Sequence, residues 1–132
     1  MMRTNISSGA PWEPLFGYSR AVRVGSVVYV SGTTATNAVG QLVGDGDAYA
    51  QATQAILNIE RALIEAGCSM GHVVRTRIFV TNMDDWEQIS RAHGAVFGSI
   101  RPAATIVEVR RLIDPRMLVE IEADAIVDDP AP

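Results

Sequence analysis

Two short runs dominated by apolar positions, residues 20–24 and 27–31, read as strands. Gly25-Ser26 between the two runs supplies a two-residue turn, so this stretch predicts a β-hairpin. The pattern then changes. Ala48, Ala52, Ala55, Ile56, Ile59, Leu63 and Ala66 recur at helical spacing, while Gln51, Gln54, Asn58, Arg61 and Glu65 take the other side. Asp45 or Asp47 can cap the start of this helix, and Gly67 ends it. The β-branched run 73–81 reads as a strand. Asn82 can cap a second helix with Asp84 and Asp85 in its first turn, where the helix dipole favours negative charge. Trp86, Ile89, His93, Val96 and Phe97 form one face of that helix. Pro102 stops it, because the residue before a proline avoids helical geometry. Strands over 104–109 and 118–127 close the pattern. Residues 33–46 are turn-rich, with one short strand at 41–43. Residues 1–16 read as an N-terminal loop whose Trp12 and Phe16 pack on something, and residues 128–132 as a frayed tail.

The order β-β-(β)-α-β-α-β-β predicts an α+β domain, a mixed β-sheet with both helices on one face. Side chains alternate across a strand, so Leu118, Glu120, Glu122 and Asp124 share one face of the last strand. Val119, Ile121, Ala123 and Ala125 share the face that meets the helices. The other face of the sheet is expected to carry Val28, Val30, Phe79, Ala104, Ile106 and Leu118 beside the acids. An apolar face of that size calls for a cover, and a closed homo-oligomer is the simplest one. Arg75 and Arg77 alternate with Val74, Thr76 and Ile78, which makes them partners for Glu108, Glu120 or Glu122. Two readings stand: an ion-pair network between subunits, or a charged group reaching a cleft at the subunit boundary.

Composition narrows the chemistry. The chain has 132 residues, one domain's worth, with 48% hydrophobic residues and a formal charge of −4. A pI near 5.0 without a basic stripe speaks against nucleic acid as a partner. No apolar run suits a membrane span or a signal peptide, so no membrane partner is expected. The lone Cys68 fits a reducing, cytoplasmic setting and reads as a small filler at a helix exit. His93 is either a general base or a packed histidine with one ring nitrogen satisfied. His72 lies in a turn and is read as solvent-facing. Two distant histidines and one cysteine make no metal cluster, GDGD at 44–47 is a turn and helix cap, and no cofactor is expected.

Several segments together resemble the YjgF/RidA family: GYSRAVRVGSVVYVSG at 17–32, QAILNIERALIEAG at 54–67, VVRTRIFVTNMDDW at 73–86, and RPAATIVEV at 101–109 followed by VEIEADAI at 119–126. The resemblance spans about residues 17–127. It implies a chorismate-mutase-like α+β fold assembled as a trimeric barrel, with ligand clefts between subunits. The best-known branch hydrolyses imines and enamines derived from amino acids. Its strand motif P-A-R-[ST]-C-V-E-V is PAATIVEV here. The arginine that clamps a substrate carboxylate falls on Ala104, the cysteine on Ile106, and a helix asparagine on Ser90. Alanine offers none of a guanidinium's paired hydrogen bonds, so these departures argue against the usual 2-imino-acid deaminase activity. Tyr18, Ser31, Gly32 and Glu120 match pocket positions, and the resemblance assigns Glu120 to positioning the water that attacks a C=N bond. An ion pair is the competing reading of Glu120.

Arg77, Arg101 and Arg20 are the candidates to replace the missing cation, each weighed against a surface or paired role. Without one in the pocket, the ligand is neutral, larger, or held through Trp12 and Phe16. The sequence therefore carries two main readings: a divergent hydrolase of a C=N bond in a small metabolite, or a non-catalytic ligand-binding or regulatory trimer. Ribonuclease activity, attached to parts of the family, is the weakest reading at this pI.

Overall fold

The computed structural model describes residues 2–127. One six-stranded sheet, with the order β1-β2-β3-β6-β4-β5, forms the scaffold. Its strands are β1 (Arg3–Ile6), β2 (Ala21–Val24), β3 (Val27–Thr33), β4 (Val73–Val80), β5 (Ala103–Glu108) and β6 (Val119–Ile126). Only β4 and β5 run parallel, and the helix between them makes the crossover. The helices are α1 (Trp12–Phe16), α2 (Ala48–Glu65) and α3 (Trp86–Phe97). The expected mixed sheet with two long helices is present; α2 packs on β3 and β6, and α3 packs on α2.

Local chemistry sets these bounds. Asp47 accepts a hydrogen bond from the Ala50 N–H at 3.0 Å and so caps α2. Gly67 ends that helix in the left-handed region at φ 81°, where a side chain would be strained. Arg23 then donates from Nη1 to the Ala66 carbonyl at 2.6 Å, placing a cation on the helix C-terminus. Asn82 caps a single 3₁₀ turn, Met83–Asp85, which leads into α3. The short strand expected at 41–43 is a single bridge, Thr36 to Leu42.

The N-terminal stretch read as a loop contains β1 and α1. β1 adds an edge to the hairpin through its pairing of Arg3–Ile6 with β2, and its polar RTNI sequence carries no strand alternation to announce it. Residues 128–132, read as a frayed tail, lie outside the described residues.

The core lies between the sheet and α2/α3. Val119, Ile121, Ala123 and Ala125 are all fully buried there. A fully buried Ile such as Ile59 or Ile121 contributes about 2–3 kcal/mol from removal of apolar surface. Val28 and Val30, expected on the open face, lie in this core at 0% and 3% exposure. Their cross-strand partners are Ala125 and Ala123, so the register turns them toward the helices. Ile106 pairs with Ile78 and packs against the same core. Ala104 shares that side through its pairing with Thr76. The open face is thus less apolar than expected: Tyr29, Phe79 and Val107 alternate there with Arg77, Glu122 and Asp124.

Gln51 also departs from its expected polar face. It is fully buried, donates to the carbonyls of Gly44 and Arg116 at 3.1 and 2.9 Å, and accepts from the Leu118 N–H at 2.8 Å. A buried amide is tolerated because it is satisfied on both sides. It ties α2 to the entry of β6, two residues before Glu120. Among the described residues, no helix is long and apolar enough to cross a membrane.

Candidate functional site

The β3–β6 ladder breaks between Val30 and Thr33, and Ser31 and Gly32 occupy the break. A β-bulge of this kind re-aims side chains and terminates pairing locally. Glu120 comes off β6 beside it. A Cβ on Gly32 would collide with the Glu120 Oε2 and lie 2.9 Å from its Cδ, so glycine is what lets the carboxylate rest there. The Ser31 hydroxyl donates to the Ser19 carbonyl at 2.6 Å, and the Thr33 hydroxyl donates to the Ser31 carbonyl at 2.7 Å.

Arg20 holds this break from the other side. Its Nη1 donates to the Gly32 carbonyl at 2.7 Å and to Thr33 Oγ1 at 2.9 Å. Its Nη2 donates to the Tyr18 hydroxyl at 3.2 Å, and the guanidinium lies 5.5 Å from the centre of the Tyr18 ring. Nε is 3.9 Å from Oε2 of the buried Glu13. Burial opposes ionisation of Glu13, yet hydrogen bonds from the Ser8 and Ser7 hydroxyls and the Ser8 N–H, with the charge of Arg20, hold its pKa below the ordinary glutamate value. A buried cation and a buried anion therefore face each other, one on β2's threshold and one on α1.

These residues line a cleft of about 890 Å³, with Tyr18, Arg20, Ser31, Gly32, Glu120 and Glu122 on its wall. Residues 6–12 and Phe16 form one rim, and the loop 36–40 another. Asn58 fixes that loop against α2 by donating to the Thr34 and Thr36 carbonyls at 3.0 and 2.8 Å. Burial pushes the Glu120 carboxyl above the ordinary glutamate value; the charge of Arg20 opposes this, and that of Glu122 adds to it. Among the described residues no hydrogen-bond donor contributes to that balance. A half-buried carboxylate with a raised pKa and free lone pairs can take a proton from water near neutral pH.

Four of the site residues expected from the sequence meet in this cleft: Tyr18, Ser31, Gly32 and Glu120. The other four do not line it. Arg77 stands on the open face, with Nη1 3.2 Å from Asp124 and 3.7 Å from Glu122. Ser90 is exposed on α3, and Ala104 and Ile106 lie on the edge strand β5. Of the replacement cations, Arg101 is exposed at the end of α3, where its N–H reaches the Phe97 carbonyl at 2.8 Å. Arg20, weighed as a surface or paired arginine, is the one that reaches the cleft, at 9% exposure. The signal was in the hairpin. A two-residue turn at Gly25-Ser26 fixes the register, which brings Arg20 opposite Ser31, and the Ser31 N–H does donate to the Arg20 carbonyl at 3.0 Å. Glu13 carried no such signal, because nothing local in WEPLF announces a buried acid.

His93 is packed, with Nε2 2.9 Å from the Thr76 hydroxyl and its ring 4.6 Å from that of Phe97. Burial lowers its pKa. His72, expected to face solvent, is half-buried and accepts from the Ser69 N–H at 3.0 Å. Cys68 is buried, which pushes its thiol pKa up against the pull of Arg23. Among the described residues, no three His, Cys, Asp or Glu side chains gather as a metal site.

The sequence profile of the Endoribonuclease L-PSP family matches residues 9–127. The chain belongs to that family. Family members with this fold include a protein of the YjgF/YER057c/UK114 family from Mycobacterium tuberculosis, whose crystal structure superposes with a TM-score of 0.88 at 48% identity, covering 96% of this chain and all of that one. An uncharacterized protein of Streptomyces coelicolor is 40% identical over 91% of this chain and 89% of its own length. The 2-iminobutanoate/2-iminopropanoate deaminase of Mus musculus is 35% identical over 96% of this chain and 93% of its own length.

Proposed function

We propose that the protein hydrolyses a C=N bond in a small metabolite, an imine or enamine, with Glu120 orienting the attacking water. The observation that carries this reading is the Glu120 carboxylate itself: in the cleft, without a hydrogen-bond donor among the described residues, and with its pKa raised by burial. Water adds its oxygen to the carbon while Glu120 accepts its proton, and Glu120 passes that proton to the nitrogen as the C=N double bond becomes single. The carbinolamine then collapses; the C–N bond breaks, ammonia leaves and a carbonyl remains. The Tyr18 hydroxyl accepts from Arg20, so its own proton is free to point into the cleft toward substrate nitrogen or oxygen. The deaminase among the relatives supports this class of reaction.

The assembly belongs to the same proposal. A chorismate-mutase-like homotrimer would bring Ser90 and the β5 edge of one copy toward the cleft of the next. The exposure of Ser90 and Ala104 fits a half-site offered to a neighbour. Light scattering is expected to give three copies, and a stable monomer would remove the intersubunit part.

The decisive experiment measures ammonia released from imines generated in situ, above the spontaneous rate, for wild type and Glu120→Gln. Loss of a positioned general base is expected to lower kcat/KM by roughly 10²-fold. Equal rates for both proteins would reject Glu120 as the base. Wild-type activity no faster than water would assign the cleft to binding without turnover.

A further inference from the structure

We infer that the cleft selects carboxylate-free substrates, neutral or cationic at the reacting nitrogen, that carry an apolar arm. This deepens the proposed function and rests on its reading of the cleft as the ligand site. Two arginines line the cleft, Arg20 and Arg61. To clamp a carboxylate, an arginine must present two parallel N–H groups to it. Arg20 cannot do so. Nη1 makes two bonds to β3 and Nη2 one to Tyr18. Nε, its one nitrogen without a hydrogen bond, is buried on the side that faces Glu13. The charge of Arg20 is matched by Glu13, which the surrounding hydroxyls keep ionised. Arg61 is exposed on α2 and is not among the charges that act on Glu120.

Glu120 is not so matched, whereas Glu122 has Arg77 at 3.7 Å. Glu120 has no cation within ion-pair distance among the described residues, and Glu122 beside it raises its pKa further. A carboxylate on the reacting carbon would meet the Glu120 carboxylate and find no free fork on Arg20, and a desolvated anion without a partner is strongly disfavoured. A protonated imine meets the opposite field; the acids hold its charge, and protonation makes its carbon the better electrophile. The body of the ligand has its own surface. Trp12, Phe16, Val39 and Ile113 line the cleft, and Phe16, Val39 and Ile113 stay 70%, 76% and 52% exposed. Apolar groups left in water around a polar centre are the usual composition of a small-molecule site.

Calorimetry with phenylacetamide and phenylacetate, two ligands of one shape and different charge, tests the selection on the intact protein. The amide is expected to bind about tenfold tighter or better. Phe16→Ala is expected to weaken the amide while leaving the fold intact, because its ring is exposed. Turnover is compared for 2-phenylethanimine, made from phenethylamine, and 2-imino-3-phenylpropanoate, made from phenylalanine; the first is expected to have the higher kcat/KM by about tenfold. Equal or tighter binding of phenylacetate, absence of binding by either ligand, or preferred turnover of the imino acid would each overturn the inference. If neither imine is hydrolysed while the amide preference holds, the proposed hydrolysis fails and the selection stands.

Discussion

Three acids of β6 leave the sheet on one face and meet opposite surroundings. All three lie beside β4, and there Arg77 reaches Glu122 and Asp124 on a partly exposed surface. Glu120, nearer the start of the strand, lies beside the break in β3, where Gly32 removes a side chain and Arg20 turns its donors to backbone and hydroxyl oxygens instead. Alternation along β6 treats the three acids alike. The neighbouring strands decide the difference: β4 places Arg77 opposite Glu122 but Phe79 opposite Glu120, and the bulged β3 supplies a recess beside Glu120. Exposed pairs of the first kind contribute little to stability, whereas a lone half-buried carboxylate is held against its own solvation. The second arrangement persists because the Arg20–Glu13 pair and the Ser31 and Thr33 hydroxyls fix the bulge around it.

The largest expected break of this contrast is Gly32→Ala. The added methyl group displaces the Glu120 carboxylate, so kcat/KM for imine hydrolysis should fall about as far as for Glu120→Gln, roughly 10²-fold, with little change in stability because the displaced atoms end a flexible side chain. Denaturant unfolding and kinetics on one preparation check it. Full activity in this variant would mean that the position of Glu120 over Gly32 has no part in turnover.

A smaller effect sharpens the electrostatic side. The folded pKa of Glu120 is raised, so the folded state binds its proton more tightly than the unfolded one. Its stabilising contribution is complete below the ordinary value of 4.5 and is lost as pH rises through the folded value. Glu120→Gln should therefore raise Tm at pH 7, and the gain should shrink as pH falls from the raised folded value toward 4.5 and vanish below it. A gain independent of pH would mean that the charge of Glu120 has nothing to do with it.

The smallest effect belongs to the paired end. Arg77→Ala should cost about 1 kcal/mol or less in low salt and less again in high salt, because the pair is partly exposed. A loss that grew on dilution would instead place Arg77 at a boundary between copies.

Much of this was legible in the residues. Apolar runs around Gly25-Ser26 located the hairpin, and the helical and strand patterns located both long helices and β4, β5 and β6. The orientation of β6 was legible too, since Val119, Ile121, Ala123 and Ala125 admit one buried side. Faces assigned strand by strand failed where register decides: Val28, Val30, Ala104 and Ile106 turn toward the helices because of the residues they pair with. β1 and α1 were hidden, because a polar edge strand and a five-residue helix leave no periodic trace.

The sequence by itself determined the elements, the acid row on β6 and the glycine beside it, since these follow from side-chain period and from backbone space. Tertiary structure alone decided which acid stays without a cation. That depended on the bulge between Val30 and Thr33, on Glu13 arriving from α1 to face Arg20, and on Gln51 anchoring the entry to β6. Each is a contact between segments distant in the chain, and charges are matched or left unmatched by distance in space.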